Sequence, residues 1–572
     1  MLAGHALFKY NVGSQTETEF LFETVISRQE FESDKEEFDM DLEAKRVIEA
    51  GEGIVGIEFG STRIKAVLID ANHEPIASGS HAWENRLENG IWTYHLDDVW
   101  AGIQDAYADM CRDAEKKYGV KIRKLAGVGI SAMMHGYLPF DADGNQLAEF
   151  RTWRNAITGP AAEKLTEAFS FNVPQRWTIA HLYQAILNKE SHVSKIDHLT
   201  TLAGYVHWKL SGQKVVGTGE GSGIFPLKDD TGTYDPERVA QFDRIIEPYG
   251  FNWKLLDILP EVIPAGADAG CLTPEGAALL DPTGTLEPGA KMAPPEGDAG
   301  TGMVATNSIT PGTGNISAGT SVFAMIVLEH ELSKVHVEID VVATPDGKPV
   351  AMVHCNNCTS DINAFAEMLH GFSAAAGAEV SMNQVYTAIF GAANDGDPDC
   401  GGVINVNYFS GETITSLDEG RPMLVRLPDA SFTFANLARS LLYGAVATLK
   451  LGMDILTEEE KVKIFSLLGH GGFFKTGTSG QRFMAAALNT PVSVMKTAGE
   501  GGPWGMALLT AYAVRRAEGE TLGEYLRGRV FAGSEGSTVE PDAADTAGFN
   551  RYIAQFKAVL AAEKAAVEGL KA

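Results

Sequence analysis

The clearest hydrophobic pattern in the chain begins at Ile54. Val55, Ile57 and Phe59 alternate with Gly56 and Glu58. After the short break Gly60-Ser61-Thr62, the run Ala66-Val67-Leu68-Ile69 is continuously apolar. Alternation followed by an unbroken apolar block predicts the two strands of a hairpin, the second buried on both faces. Leu125-Ala126-Gly127-Val128-Gly129-Ile130-Ser131 reads as another buried strand, and Val99 to Tyr118 as a helix by its period. Farther along, Phe434 to Leu456 predicts a long helix. Strands alternate with helices on both sides of position 310, which predicts two α/β domains of related design with a cleft between them. The boundary is placed near 306. That gives a first domain over 54–306, a second over 307–520, and a helical tail over 521–572.

Upstream of the hairpin the pattern is weaker. Residues 38–50 (FDMDLEAKRVIEA) predict a short amphipathic helix, with Leu42, Val47 and Ile48 as the side chains to pack on the first domain. Residues 1–36 hold no sustained period and several charges, so they read as a tail that the fold does not need. Phe20-Leu21-Phe22 is their one apolar cluster. Together these segments form an N-terminal extension over 1–53.

Composition narrows the class. The chain has 572 residues, enough for two large domains and a bulky core. A net charge of −29 argues against nucleic acid and anionic membranes as partners. No apolar run approaches the roughly 18 residues of a membrane span. No basic region followed by an apolar stretch opens the chain, so the expected location is the cytoplasm. Five cysteines do not make a disulfide framework. Cys355-Asn356-Asn357-Cys358 lacks a second ligand pair for zinc. It reads as an Asn-Asn turn, with Thr359 or Ser360 capping a helix that begins near Asp361.

Three glycine-rich segments carry the chemistry. They are Gly56 to Asp70, Gly312 to Ser321, and Gly469-His470-Gly471-Gly472 through Gly480. Glycines let backbone N–H groups approach phosphate, and Ser or Thr hydroxyls add donors. Between the first two lies Pro294-Pro295-Glu296-Gly297-Asp298-Ala299-Gly300, a small-residue turn opening a helix. A carboxylate on such a turn can take a proton from a substrate hydroxyl as phosphorus is attacked. Its other reading is a helix cap, and the two roles are compatible.

These motifs, in this order, resemble the FGGY family of carbohydrate kinases, over roughly residues 54 to 520. The resemblance implies an actin-like ATPase fold of two ribonuclease-H-like domains, with ATP and sugar meeting in the cleft. It implies phosphate contacts at Gly60, Ser61, Thr62 and Lys65, and at a second loop, Gly319, Thr320 and Ser321. An adenosine loop is implied at Gly471, Gly472 and Lys475, where Phe473 or Phe474 stacks on adenine or packs beneath the loop. Asp298 matches the family's general base. Glu58 stands where the family usually has an Asp that helps hold Mg²⁺. Met133-Met134-His135-Gly136 resembles the sugar motif of the xylulokinase-like members, and Trp153-Arg154-Asn155 the Trp-x-Asp motif, with Asn replacing Asp. Met134, His135, Trp153, Arg154 and Asn155 are therefore expected to bind sugar; Glu220 and Ser222 fall near a Ser-rich family segment without an assigned role.

The implied activity is ATP- and Mg²⁺-dependent phosphorylation of the terminal hydroxyl of a ketopentose. L-ribulose is favoured over D-xylulose, because the hairpin, Asn155 and the leading helix resemble a bacterial group associated with arabinose use. Another polyol or ketose is the alternative within the family. An actin-like ATPase switch without sugar chemistry is the alternative outside it. A homodimer is the candidate assembly.

Overall fold

The computed structural model describes residues 41–228, 231–495, 501–534 and 536–570. The expectation for residues 1–36 lies outside these. Helix α1 spans 41–50 and buries Ala44, Val47 and Ile48, while Leu42 is exposed, contrary to its expected packing role.

The first sheet follows directly. Strands β1 (Ile54–Phe59) and β2 (Arg63–Ile69) form the predicted hairpin, and β3 (Pro75–Ala82) extends it. Helix α2 (Leu96–Tyr118) packs on this sheet with Val99, Ile103, Ala106 and Met110 inward. Strand β4 (Gly127–Ala132) runs parallel to β1. A short helix α3 (Thr218–Ser222) and the two-residue strands β5 (Lys291–Met292) and β6 (Glu296–Gly297) lead to helix α4 (Asp298–Ala305). The strand order is β5-β4-β1-β2-β3, with β6 also pairing β4.

The second sheet repeats the arrangement. Strands β7 (Thr313–Ala318) and β8 (Val322–Val327) form a hairpin, followed by β9 (Ile339–Ala343) and β10 (Pro349–Cys355). Helix α5 (Ser360–Ala375) and the long helix α6 (Phe434–Asp454) come next. Strand β11 (Ser466–His470) lies parallel to β7, and β12 (Val492–Met495) parallel to β11.

The next helix crosses between the two domains. The helix over Gly501–Arg515, α7, comes after β12 of the second sheet but packs its Trp504, Met506, Ala507 and Leu508 into the core of the first domain. Its approach is close: a Cβ at Gly56 would lie 2.1 Å from the Pro503 carbonyl oxygen, so only glycine fits in β1 there. Trp504 Nε1 donates to the His73 carbonyl at 2.9 Å, and Arg515 donates to the carbonyls of Asp70 and Glu52. Residues 501–531 thus belong with the first domain in space. Strand β13 (Gly536–Val539) returns to the second sheet against β12, and helix α8 (Ala543–Gly569) buries Phe549, Tyr552 and Phe556 in the second core. The second sheet has the order β9-β10-β8-β7-β11-β12-β13. Among the described residues, no helix is long and apolar enough to cross a membrane.

Candidate active site

A cavity of about 390 Å³ lies between the two domains. Glu58, Ser61, Met134, His135, Trp153 and Asp298 reach it from the first domain; Ser321, Phe323, Met352 and His354 reach it from the second. Gly501 and Gly502, at the start of α7, close one side.

Asp298 opens α4 directly after Gly297. Met134 N donates to its Oδ1 at 3.1 Å, which ties the carboxylate to the Met-His turn. Asp298 is open to the cavity by its accessible surface, but the protein packed around it still raises its pKa above the ordinary carboxylate value, against the pull of the Met134 and Ala299 N–H groups. Glu58 sits on β1 opposite Lys65 in the hairpin register. Burial, reinforced by the charge of Asp298 and opposed by Lys65, pushes its pKa up to about 7. A Cβ at Gly502 would lie 1.8 Å from Glu58 Oε1, so this glycine is what leaves room for the carboxylate.

Among the described residues no group of three or more His, Cys, Asp or Glu side chains could hold a metal ion. The donor set here is one hard carboxylate, Glu58, facing a second negative group. That suits Mg²⁺ held by a single protein oxygen, with waters and nucleotide phosphates completing its shell.

His135 has a left-handed backbone, φ 74°, uncommon for a non-glycine residue and typical of strained sites. Its Nδ1 lies 3.3 Å from the Gly223 carbonyl, and a carbonyl only accepts, so Nδ1 carries the proton. Burial holds the ring's pKa well below its usual value, so the ring is neutral and Nε2 is left as an acceptor.

Both phosphate turns have their carbonyls tied back. In the first, Trp83 Nε1 donates to Gly60 O at 2.7 Å and Tyr94 Oη to Ser61 O at 2.7 Å. The Trp83 backbone N–H donates to Thr62 O at 3.2 Å. In the second, the Thr359 N–H and Oγ1 both donate to Gly319 O, and the Cys358 N–H donates to Thr320 O. In a trans peptide the N–H points opposite to the preceding C=O. Anchoring these carbonyls therefore turns the N–H groups of Ser61, Thr62, Thr320 and Ser321 the other way, while those of Gly60 and Gly319 are spent within their turns on the Arg63 and Ser321 carbonyls.

The second anchor is the Cys-Asn-Asn-Cys segment. Glu412 accepts from the Asn356 and Asn357 N–H groups and from Asn357 Nδ2, at 2.8 to 3.1 Å. Asn357 Oδ1 accepts from the Phe409 and Ser410 N–H groups. The turn was expected; the expected cap is not what forms. Thr359 is the N-cap of α5, but its side chain makes no cap bond and serves Gly319 instead.

Not every expected residue gathers at the cavity. Asn155 is buried with its amide spent on the Trp92 N–H, the Trp92 carbonyl and the Thr152 carbonyl. Arg154 stacks 3.6 Å over the Trp92 ring. Neither lines the cavity, so the expectation of sugar contacts from both is corrected: they shape the loop that presents Trp153. Phe473 and Phe474 are buried beneath the glycine loop rather than offered to a base. Lys475, Thr62 and Gly472 are exposed, Gly60, Gly319 and Gly471 partly so, and Lys65 is half-buried on its strand. Residues not anticipated include Arg176, Phe323, Val342, Met352 and His354. They lie on elements that meet only in the fold, and no local pattern marks them.

Comparison with known proteins completes the picture. A xylulose kinase of Haemophilus influenzae is 20% identical over 431 residues, 73% of this chain and 82% of that protein. A ribulokinase of Halalkalibacterium halodurans is 23% identical over 48% of this chain and 53% of its own length. The crystal structure of a gluconate kinase from Lactobacillus acidophilus superposes with a TM-score of 0.73 at 18% identity, covering 90% of this chain and 99% of that one, which shows a shared fold. The family models for the N- and C-terminal domains of the FGGY carbohydrate kinases match residues 53–283 and 314–514. Those two matches take in most of the chain, and on that ground it belongs to the FGGY family of carbohydrate kinases and is an ATP-dependent sugar kinase.

Proposed function

We propose that this kinase transfers the γ-phosphoryl group of Mg²⁺-bound ATP to the terminal hydroxyl of a ketopentose. The observation that carries the reading is the link between the Met134 N–H and the Asp298 carboxylate, which puts an acceptor for a proton beside the Met-His turn. Asp298 takes the proton of the attacking hydroxyl, and its raised pKa makes it a stronger base than an ordinary aspartate. The Nε2 of His135 accepts a hydrogen bond from a second hydroxyl. Trp153 offers an aromatic face at the mouth of the cavity. The turns at Gly60-Thr62 and Gly319-Ser321 hold the phosphates through their outward N–H groups. Glu58 would hold Mg²⁺, which would supply charge neutralisation at the phosphates.

The xylulose kinase and ribulokinase relatives support a ketopentose. The choice of L-ribulose over D-xylulose loses one of its supports, since Asn155 faces backbone rather than the cavity. The test is ADP release from the purified protein with ATP, Mg²⁺ and a panel containing both ketopentoses, ribitol, glycerol and gluconate. Release that depends on a ketopentose is the expected result. Turnover of only glycerol or gluconate, or hydrolysis indifferent to sugar, would sink the reading.

A further inference from the structure

A seam between the domains runs along the cavity. Strand β9 is the edge of the second sheet, and it is docked on the first domain. The Ala343 N–H donates to Ser222 Oγ at 2.9 Å. Asn172 Nδ2 donates to the Ile339 carbonyl at 2.9 Å and to Asp340 Oδ1 at 3.2 Å. Arg176 forms an ion pair with Asp340 Oδ2. Arg176 also lines the cavity, and it is the one Lys or Arg among the described residues that do so. The cation that faces the substrate site thus comes from one domain, and its counter-ion from the other.

This is not a loose surface pair. The two side chains are 25% and 14% exposed, and Asn172 holds the same carboxylate from the side. A guanidinium carries five N–H donors in one rigid plane. With Nη2 given to Asp340, the plane is fixed and other donors remain for a ligand. The neighbouring groups complement it. Asp298 is a carboxylate, His135 presents a lone pair, and burial with the nearby Arg176 charge brings the His354 pKa down to about 4, so that ring is neutral. A polyhydroxylated ligand needs donors as well as acceptors, and Arg176 supplies them.

We propose that Arg176 is a specificity-determining residue that donates hydrogen bonds to oxygens of the bound sugar, and that Asp340 is the positioning residue that aims it. The sugar site is then complete only while the domains are docked along β9. The inference deepens the proposed function and rests on the same cavity being the sugar site.

The test is steady-state kinetics of wild type, Arg176→Gln, Asp340→Asn and the double variant, with sugar and ATP varied separately. Arg176→Gln should raise the sugar KM about tenfold or more, the loss of a hydrogen bond from a charged donor, and leave the ATP KM within about twofold. Asp340→Asn should move the sugar KM the same way by less. The double variant should be no worse than Arg176→Gln, because Asp340 acts through Arg176. Arg176→Lys should restore little, since an ammonium lacks the planar fork. An unchanged sugar KM in Arg176→Gln, or additive effects in the double variant, overturns the inference. Failure of the ketopentose reading would show in the wild type alone, and the same series would then be run with whichever sugar the wild type accepts.

Discussion

The hairpin β1–β2 and the hairpin β7–β8 each carry a short Gly/Ser/Thr turn, and each gains a parallel neighbour, β4 in one case and β11 in the other. In both, the turn carbonyls are tied back on one side. The ties differ. The first turn is held by two stacked aromatic residues of its own domain, Trp83 and Tyr94, with ring centroids 4.1 Å apart. The hairpin beneath it is backed by α7, which arrives from more than 400 residues downstream. The second turn is held by the Asn356–Thr359 backbone, which depends in turn on the buried carboxylate of Glu412. One local design can thus be stiffened by quite different partners. The first wall also carries the proposed base and the Met-His turn, while the second offers apolar side chains with Asn315, Ser321, His354 and His470. Variants of Asp298 and His135 should therefore move turnover or sugar affinity, and variants in the anchor of either phosphate turn should move ATP affinity.

The largest effect is expected at Asp298. Asp298→Asn should lower kcat by at least about 10²-fold, the low end for loss of a general base, with ATP binding nearly intact by calorimetry. Near-normal turnover would take the base away from the first wall. Next comes His135→Ala, which should raise the ketopentose KM while sparing that for ATP. A lost hydrogen bond with a buried partner costs about 1–3 kcal/mol. A loss of ATP affinity instead would mean the walls are wrongly assigned.

Glu58 gives a pH signature. Its pKa of about 7 means that protons compete with Mg²⁺ near neutrality. The ionised, metal-binding form predominates above that pH and is lost below it. Lowering the pH from 8 to 6 should therefore raise the half-saturating Mg²⁺ concentration roughly tenfold, following the ionised fraction of one such group. Glu58→Gln should remove that dependence; a metal requirement equally steep in the variant would reassign Glu58. The smallest effect is expected at the anchors. Asn357→Ala should raise the ATP KM roughly 5-fold, about the value of one net hydrogen bond, and leave the sugar KM alone. Trp83→Phe keeps the ring but removes the donor to Gly60, and should act similarly. If Asn357→Ala changed sugar affinity as much as ATP affinity, the separation between the walls would fail.

The order of the glycine motifs, the hairpin, the long helix and the Asp298 turn are all written in local pattern. A strand alternates at period two, a helix repeats at 3.6, and a phosphate turn needs small residues, so each can be read over a dozen positions. Three things could not be read that way. Helix α7 lies in sequence between strands of the second sheet but packs on the first domain, because its apolar side chains fit a groove that β1 opens with Gly56. Asn155 has the composition of a sugar ligand, yet nearby backbone groups satisfy its amide first. Arg176 carries no motif, and what makes it face the cavity is a carboxylate 164 residues away on another domain. Local sequence sets which elements form and which chemistry they carry. Which of their polar groups stay free for a ligand is decided by burial and by partners that only the folded chain brings together.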